Sequence, residues 1–385
     1  MTRLLVDYSA GFSQGAGIGR YARSVVPRAI VALPEWETTL IYAAATRSPP
    51  RFHDAALSGI PREQVVTRRR VPVDRRRLDQ LWFRARLPIP IELFAGTSDI
   101  VYSPDFTAPP TWGRQPSLVT FHDLAFMIVP EFAPPGLRAF LGATVPRQAR
   151  KAALIAVVSE TTRNDVMERL GVKEDRIVLV RNGVDERFFG ALPLDTPRRD
   201  ELDIPARYLL TVGTLEPRKN HLTLFKAMAA LQGRVDLPLV VAGGTGWEYD
   251  EIVAEANRLQ GAGTVIRLDY VPDADLPGLY AGAAAVVYPS WYEGFGLPVL
   301  EALASGVPVV SSNAPALVEV GGDQTITVDP GSAEGFAAAI ERALDSDMVT
   351  PLAAAGRIAR ARTFGWEASG SALALALRRL EGMCS

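Results

Sequence analysis

Short apolar runs alternate with longer amphipathic stretches along the whole chain, and this alternation predicts an α/β fold. The runs predicted to be strands in the first half are Leu4–Asp7, Thr39–Ala43, Ile100–Ser103, Ser117–Phe121, Leu154–Val158 and Ile177–Val180. Continuous apolar runs of this length are typical of parallel strands that helices cover on both faces. The first half is therefore predicted to form a Rossmann-like parallel sheet.

The same pattern restarts after a linker with prolines and aspartates at residues 191–205. The second series of predicted strands is Tyr208–Val212, Leu237–Ala242, Thr264–Leu268, Ala284–Tyr288, Val307–Ser311 and Thr325–Val328. A chain of 385 residues is too long for one ordinary core. We predict a Rossmann-like domain at 1–195, a second at 196–365, and a separate C-terminal helix at 366–385.

Composition narrows the class of protein. Apolar content of 48% and charged content of 22% are normal for a globular chain. No apolar run approaches the roughly 18 residues of a membrane span, and the chain starts with a predicted strand rather than a signal peptide. The single cysteine, Cys384, and the scattered His53, His122 and His221 argue against a disulfide and a metal site. We expect a cytoplasmic protein.

Charge is distributed unevenly. Residues 1–195 carry six more basic than acidic residues, and residues 196–385 carry eight more acidic than basic ones. Much of the positive excess lies in the basic segment, residues 68–86, whose arginines are Arg68, Arg69, Arg70, Arg75, Arg76, Arg77, Arg84 and Arg86. Apolar neighbours such as Trp82 would let this segment contact an anionic membrane surface, although a solvated helix face gives the same pattern. Nucleic-acid binding is not expected, because the net charge is −2 and no binding motif occurs.

The most informative motif lies between two glutamates. A predicted buried strand leads into the turn Glu293, Gly294, Phe295, Gly296 and Leu297, and a helix with Pro298 in its first turn follows. A helix N-terminus favours an anion, and the side chain of Glu301 would lean back toward it. Carboxylates on both sides of a phosphate suit a nucleotide sugar, although the segment read alone is also compatible with a tight turn.

A second motif joins a strand to a helix at residues 211–221. Arg218 and Lys219 would lie at a strand's carboxyl end beside a helix N-terminus, where a phosphate would balance their charge. The chain has only four lysines against 37 arginines, so Lys219 suggests a site that requires a compact cation. A solvated surface pair is the alternative interpretation.

The remaining candidates are strand-end loops. Gly17 and Gly19 lie in a glycine-rich loop that opens a helix, but the loop does not match the dinucleotide fingerprint G-x-G-x-x-G. His122 and Asp123 follow a predicted strand, where ligands bind in sheets of this type. Two weaker candidates are the loop with Tyr270 and Val271 and the glycine-rich turn at Gly243.

These motifs together resemble the retaining glycosyltransferases of the large group-1 family (family 4). The stretch from Glu293 to Glu301 resembles the family's carboxy-terminal paired-glutamate signature. The sequence GTLEPRKN, which begins at Gly213, resembles its diphosphate loop, and GIGRY, which begins at Gly17, resembles its amino-terminal glycine-rich loop. The resemblance implies the GT-B fold, in which two Rossmann-like domains face an interdomain cleft and the C-terminal helix crosses back to the first domain.

The resemblance also implies roles for the motif residues. Glu301 would hold the ribose, and Glu293 the hydroxyls of the transferred sugar. Lys219, Arg218 and the amides of Gly294–Gly296 would stabilise the diphosphate without a metal, and His122 would lie beside the sugar. The base would contact Tyr270, Val271 and Gly243, while Gly17 and Gly19 would lie against the phosphates and the acceptor.

The function implied is transfer of a hexose from a nucleoside diphosphate sugar to a hydroxyl of a polysaccharide or lipid-linked glycan, with no other cofactor. The GTLEPRKN subtype resembles mannosyltransferases, so GDP-mannose is the first expectation for the donor. UDP-glucose, UDP-N-acetylglucosamine and dTDP-rhamnose stay open. The alternatives are a nucleotide-sugar epimerase of the same fold, an NAD-dependent dehydrogenase and a non-catalytic nucleotide-sugar-binding protein.

Overall fold

The computed structural model describes residues 1–45, 53–113, 115–247 and 249–383, without the side chains of residues 53 and 54. Cys384 and the side chain of His53 therefore lie outside the described residues. The chain divides into two compact units. Unit 1 comprises residues 1–127, 135–182 and 366–385, and unit 2 comprises residues 128–134 and 183–365.

Unit 1 contains a seven-stranded parallel sheet. Its strands are β1 (Arg3–Asp7), β2 (Glu37–Ala43), β3 (Val66–Val71), β4 (Ile100–Ser103), β5 (Ser117–Phe121), β6 (Leu154–Val157) and β7 (Ile177–Leu179). The strand order is β3-β2-β1-β4-β5-β6-β7, and all neighbours are parallel. The central strands β4 and β6 are buried along their whole length, as expected for a sheet covered on both faces.

The helices of unit 1 connect these strands. They are α1 (Ser9–Ser13), α2 (Gly17–Val31), α3 (His53–Leu57), α4 (Arg75–Asp79), α5 (Glu92–Ala95), α6 (Ala125–Ile128), α7 (Pro135–Lys151) and α8 (Glu160–Leu170). A π-helical turn, Gln80–Arg84, follows α4 directly. The last helix of the chain, Trp366–Glu381, groups with unit 1 and packs against α2.

Unit 2 contains a six-stranded parallel sheet. Its strands are β8 (Tyr208–Val212), β9 (Leu239–Ala242), β10 (Val265–Leu268), β11 (Ala283–Tyr288), β12 (Val309–Ser312) and β13 (Ile326–Val328). The strand order is β10-β9-β8-β11-β12-β13, with parallel neighbours throughout. The predicted class, two Rossmann-like parallel sheets, is confirmed.

The helices of unit 2 cover both faces of this sheet. They are α9 (Thr196–Glu201), α10 (His221–Ala230), α11 (Asp250–Gly261), α12 (Leu276–Ala281), α13 (Leu297–Ala304), α14 (Pro315–Gly321), α15 (Ala333–Ala343) and α16 (Pro351–Ala361). The last helix of the chain, which groups with unit 1, is α17 (Trp366–Glu381). One face has a large apolar cluster in which Leu224 and Phe225 of α10 and Phe336 of α15 are fully buried. No helix in the described part of the chain is long and apolar enough to cross a bilayer.

Each of the twelve predicted strands is present within two residues of its expected ends. β3 was not predicted, because its sequence, VTRRRV, contains no continuous apolar run. Among the residues that the structure describes, β3 pairs with β2 alone and forms one edge of its sheet. Charged residues are common on such edge strands, where they oppose pairing with other chains.

The compact units differ from the predicted domain ranges in two places. Residues 183–195 group with unit 2, where the N–H of Val184 donates to the carbonyl oxygen of Phe364 at 3.1 Å. Residues 128–134 also group with unit 2, because the Phe132 ring stacks on Trp291 and its carbonyl accepts the indole N–H of Trp247 at 2.9 Å. Both assignments rest on contacts between residues distant in sequence, which periodicity alone does not show.

Candidate functional site

The strand orders identify where each unit is expected to bind a ligand. In open parallel sheets, ligands bind at the carboxyl ends of the strands, at the point where the strand order reverses. In unit 2 this point lies between β8 and β11, and in unit 1 it lies between β1 and β4. The loops that follow β8 and β11 contain residues 213–220 and 289–296, the two strongest sequence motifs.

The loop after β8 is held by Asn220. Residues 217–219 form a short 3₁₀ turn, and Asn220 has the left-handed conformation (φ 59°) that connects this turn to α10. Its side-chain amide donates to the carbonyl oxygens of Pro289 at 3.0 Å and Pro330 at 2.7 Å. The Asn220 side chain therefore fixes the loop that carries Lys219 to the loop that carries Glu293.

Glu293 is the centre of a buried polar network. Its Oε1 accepts hydrogen bonds from Lys219 Nζ at 2.6 Å, from the Ser290 hydroxyl at 2.6 Å and from the Tyr288 hydroxyl at 3.0 Å. Its Oε2 lies 3.0 Å from Arg218 Nη1. Lys219 Nζ also lies 2.7 Å from the Tyr288 hydroxyl. The predicted site residues Arg218, Lys219 and Glu293 are thus brought together.

Arg218 is oriented by two further groups. Its Nη2 donates to Glu216 Oε1 at 2.8 Å, and its Nη1 donates to the carbonyl oxygen of Tyr292 at 2.8 Å. The cluster of Glu216, Arg218, Lys219 and Glu293 has two basic and two acidic side chains, all largely shielded from solvent. An anion that approached it would meet two cations whose geometry is already fixed.

The network shifts the pKa values of its members. Burial alone would raise the pKa of Glu293, but Arg218, Lys219 and the hydrogen bonds from Lys219 and Ser290 outweigh it and lower the pKa to about 2. Burial raises the pKa of Glu216, and the positive charges of Arg218 and Lys219 offset this rise only in part. Burial and the neighbouring Arg218 lower the pKa of Lys219. Glu293 is consequently a carboxylate at neutral pH.

The turn after Glu293 leads into α13 as the sequence predicts. Gly296 precedes the helix with φ 111°, and a Cβ at this position would lie 2.5 Å from Leu317 Cδ2. Pro298 occupies the first turn of the helix. The N-terminus of α13 therefore follows directly on the Glu293 network, where its dipole favours negative charge. Glu301 lies on the same helix and is buried.

The loop after β9 packs against the loop after β8. The Gly213 N–H donates to the Ala242 carbonyl oxygen at 2.9 Å, and the Leu215 N–H donates to the Gly244 carbonyl oxygen at 2.9 Å. The Gly243 N–H donates to the carbonyl oxygen of Leu268, which ends β10. Gly213, Gly243 and the start of the 269–271 loop are therefore adjacent. In that loop Val271 is buried and Tyr270 is 67% exposed.

In unit 1, α2 and His122 are in direct contact. Gly17 begins α2, and a Cβ on Gly19 would lie 2.0 Å from the carbonyl oxygen of Gln14, so the loop closes tightly on the helix. Tyr21 of α2 meets the His122 ring edge-on, with ring centroids 4.9 Å apart. The Arg23 side chain donates to the carbonyl oxygens of Gly11 and Gln14 at 3.1 and 2.6 Å. The predicted residues Gly17, Gly19 and His122 thus belong to one local structure.

His122 is buried, and its Nε2 lies 2.8 Å from the Pro104 carbonyl oxygen. Burial lowers the pKa of His122, although the bond to Pro104 and the nearby Asp105 and Asp123 oppose this. A neutral ring must then carry its proton on Nε2, because a carbonyl only accepts. Asp123 accepts the Ala125 N–H at 2.9 Å and so stabilises the turn into α6.

The switch point of unit 1 contains a group that sequence reasoning did not find. Arg75 forms an ion pair with Asp7 at the end of β1, and it donates to Asp79 Oδ1 at 2.9 Å and to the Thr107 hydroxyl at 3.1 Å. Burial lowers the pKa of Arg75, but Asp7, Asp79 and Asp105 more than offset it and raise this pKa overall. Arg75 is therefore held by carboxylates within unit 1, and the membrane contact expected of the basic segment stays a prediction.

Other members of the site were also missed in the sequence. Glu216, Asn220, Tyr288 and Ser290 all contact Arg218, Lys219 or Glu293 or fix the loops that carry them. Glu216 and Asn220 flank Arg218 and Lys219, so their place in the diphosphate-loop motif was the available signal. In the described ranges, no group of three or more His, Cys, Asp or Glu side chains is arranged to hold a metal ion.

Comparison with solved structures defines the class of fold. Sucrose-phosphate synthase from Thermosynechococcus elongatus matches all of this chain and all of its own length with a TM-score of 0.73 at 18% identity. Anabaena HepE, solved in complex with UDP, matches 98% of this chain and 100% of its own length with a TM-score of 0.67 at 19% identity. The protein therefore has the GT-B fold.

Sequence comparison defines the family. Residues 197–362 match the model for glycosyl transferases group 1, and residues 17–188 match the model for glycosyltransferase family 4. The O-antigen chain mannosyltransferase B of Escherichia coli is 32% identical over 91% of this chain and 93% of that protein. A D-inositol 3-phosphate glycosyltransferase of Corynebacterium glutamicum is 31% identical over 58% of this chain and 56% of that protein. The chain belongs to the group-1, family 4 glycosyltransferases, and it is a transferase enzyme.

Proposed function

We propose that this enzyme transfers mannose, with retention of anomeric configuration, from GDP-mannose to a hydroxyl of a polysaccharide or lipid-linked glycan. The observation that carries the proposal is the convergence of Arg218 and Lys219 on Glu293 at the switch point of unit 2. The similarity to an O-antigen chain mannosyltransferase over nine-tenths of the chain supports mannose as the sugar and a glycan as the acceptor.

The proposed donor site uses the charge of the cluster. Lys219 and Arg218 stabilise the negative charge that builds on the leaving diphosphate, and the N-terminus of α13 with the amides of Gly294–Gly296 adds to this effect. Because Glu216 and Glu293 already balance the two cations, the helix N-terminus is needed to accommodate the additional negative charge. Electrostatic stabilisation of this kind requires no metal.

The remaining roles are the ones that the family resemblance implies. Glu301, buried on α13, holds the ribose, and Glu293 accepts hydrogen bonds from hydroxyls of the transferred sugar. Glu293 is suited to this role because it is ionised and a carboxylate only accepts hydrogen bonds. Val271 and Gly243 line the base side together with Tyr270. For unit 1, the resemblance implies that Gly17 and Gly19 contact the phosphates and the acceptor, and that the uncharged ring of His122 lies beside the sugar.

A panel of donors tests the proposal. Thermal unfolding is recorded with GDP-mannose, UDP-glucose, UDP-N-acetylglucosamine and dTDP-rhamnose, and with GDP and UDP alone. A ligand present at a hundred times its Kd stabilises the folded state by about 2.7 kcal/mol. We expect the largest shift with GDP-mannose and a smaller one with GDP. A larger shift with another donor would contradict the mannose assignment, and no shift with any donor would contradict nucleotide-sugar binding.

Transfer itself needs a second measurement. A glycan acceptor is incubated with the donor, and the anomeric configuration of the product linkage is read by nuclear magnetic resonance. We expect an α-linked product from the α-linked donor, as retention requires. An inverted product contradicts the retaining mechanism. Conversion of the donor in the absence of any acceptor indicates the epimerase instead.

A further inference from the structure

A cavity of about 830 Å³ lies in unit 1, away from the candidate site. It is lined by Ser117, the first residue of β5, and by Ala153, which precedes β6. His122 follows the opposite end of β5, so the length of this strand, about 16 Å, separates the two places. The volume is within the range of small-molecule sites.

The charge of the cavity has one sign. Arg86, Arg147 and Lys151 line it, and the described residues of its lining include no Asp or Glu. In the described part of the chain, none of these three cations forms an ion pair with a carboxylate. Glu92 does not line the cavity; it is buried and accepts hydrogen bonds from the Trp112 N–H and from the side-chain amide of Gln115, a lining residue. Three cations without acidic partners around one cavity favour an anionic ligand.

The rest of the lining is largely apolar. It includes Trp82, Phe83 and Leu87, which lie close together in the sequence, and Met383, which follows α17. Some of these apolar residues and one neighbour are exposed: Leu87 is 43% exposed, Met383 is 51% exposed, and Trp112, between the lining residues Thr111 and Gly113, is 68% exposed. Exposed apolar groups combined with cations are typical of surfaces that contact membranes.

The backbone of the segment beside the cavity is irregular. Residues 80–84 form a π-helical turn, and Arg86 has φ 54°, a left-handed conformation that is rare for residues other than glycine. π-Helical turns occur frequently at functional sites, and strained residues cluster there. Both features lie in the segment that supplies Trp82, Phe83, Arg86 and Leu87 to the cavity.

We propose that this cavity binds the phosphate headgroup and the first part of an acyl chain of an anionic membrane phospholipid. Arg86, Arg147 and Lys151 bind the phosphate, and Trp82, Phe83 and Leu87 contact the chain. The buried Gln115 Oε1, which has no hydrogen-bond partner in the described part of the chain, accepts a headgroup hydroxyl. Of the arginines of the basic segment, only Arg86 lines the cavity, so the membrane contact is localised rather than spread along residues 68–86.

Vesicle binding by the full chain tests the proposal. The protein is sedimented with vesicles of phosphatidylcholine alone and with vesicles of phosphatidylcholine and phosphatidylglycerol in equal parts. We expect binding only to the anionic vesicles. Each basic residue near such a surface changes affinity about five-fold, so the triple variant R86Q/R147Q/K151Q should bind roughly a hundred-fold more weakly. L87Q should weaken binding with no change of charge.

A matched control variant distinguishes binding at the cavity from general electrostatic attraction between the protein and the vesicle. R62Q/R69Q/R76Q removes three exposed charges of unit 1 that do not line the cavity, and we expect it to weaken binding less than about three-fold. Equal losses in the two triple variants overturn the proposal, because the attraction is then diffuse. Absence of vesicle binding by the parent chain overturns it as well.

Soluble ligands show whether the cavity binds a lipid phosphate or any small anion. Calorimetric titration is carried out with dodecyl phosphate below its micelle concentration, with inorganic phosphate and with dodecyl maltoside. We expect binding of dodecyl phosphate alone, and loss of that binding in R86Q/R147Q/K151Q. Equal affinity for inorganic phosphate indicates a simple anion site and overturns the proposal. Donor binding by unit 2 should be unchanged in every cavity variant, so failure of this inference leaves the proposed transferase function unaffected.

Discussion

Lys219 Nζ donates to Glu293 Oε1 at 2.6 Å, although 74 positions separate the two residues in the chain. This pair connects the loop after β8 to the loop after β11, and its geometry is fixed by Tyr288, Ser290 and Arg218. Buried ion pairs contribute little net stability, because desolvation offsets their attraction. The arrangement is better explained as a preorganised site, in which charged groups are held in position for a ligand.

Replacing Glu293 by Gln is expected to reduce sugar transfer without reducing the affinity for GDP. The amide keeps the size of the side chain but removes the charge that holds Lys219 and Arg218. Transfer should fall at least about a hundred-fold, the cost of losing a group that acts in the transition state. The affinity for GDP alone should stay the same or increase, since the two cations lose their competing carboxylate. Steady-state kinetics and calorimetry measure the two effects, and unchanged turnover would exclude the assigned role of Glu293.

Replacing Lys219 by Met is expected to weaken binding of the nucleotide itself. A hydrogen bond to a charged group contributes about 1.5–3 kcal/mol, which corresponds to roughly a 10- to 150-fold loss of affinity for GDP. Lys226, exposed on α10 seven residues later, offers the matched control. Lys226→Met removes the same charge from the same unit and should leave the affinity within about two-fold, because exposed charges are screened. Equal losses of GDP affinity in the two variants would show that the affinity depends on net charge and not on the position of Lys219.

The strands and the two unit-2 motifs could be predicted because each depends on residues close in sequence. The apolar runs identify twelve strands, and the glycine, proline and charge pattern identifies the turns that carry Lys219 and Glu293. Tyr288 and Ser290 could not be assigned in this way. Tyr288 belongs to a buried strand and Ser290 to an ordinary turn, so only the folded chain shows that their hydroxyls donate to Glu293.

Arg75 is another residue whose contacts the sequence does not show. In the sequence it is one of several arginines in a basic segment, and exposure is the natural expectation. In the fold it lies between Asp7 and Asp79, which are separated from each other by 72 positions along the chain. The long-range pair of Arg75 and Asp7 depends on strand order. Arg75 follows β3, which the sequence pattern did not reveal and which pairs with β2, the neighbour of β1.

Asp79 provides a prediction about pH. Burial raises the pKa of Asp79 from 3.8 to about 6, although Arg75 opposes the shift. A raised carboxyl pKa means that the ionised form is disfavoured in the folded state, so this group reduces stability as the pH rises from about 4 to about 6. Asp79→Asn keeps an oxygen for Arg75 and removes the charge. It should increase the free energy of unfolding by about 1–3 kcal/mol at about pH 8 and change it little at about pH 4.

Urea denaturation at the two pH values measures this effect, and Asp99 provides the contrast. The hydrogen bond from Arg3 lowers the pKa of Asp99, so ionised Asp99 stabilises the folded state. Asp99→Asn should therefore reduce stability above the unfolded pKa of the carboxyl group, the opposite sign to Asp79→Asn. A loss of stability at neutral pH in Asp79→Asn would show that the Arg75–Asp79 ion pair outweighs the cost of burial.

Two adjacent glycines provide a test of the loop that supports the proposed donor site. Gly243 has φ 157°, and a Cβ there would lie 2.0 Å from the carbonyl oxygen of Gly213, whereas a Cβ on Gly244 would meet nothing within 4 Å. Gly243→Ala combines backbone strain with a clash, so it should cost about 3 kcal/mol or more of stability. It should also weaken donor binding, because the loop after β8 that it displaces carries Lys219.

Gly244→Ala is the matched control: it adds the same methyl group without strain and should change the free energy of unfolding by less than about 1 kcal/mol. Chemical denaturation and donor titration of both variants measure the difference, and similar behaviour of the pair would contradict the close packing of the two loops.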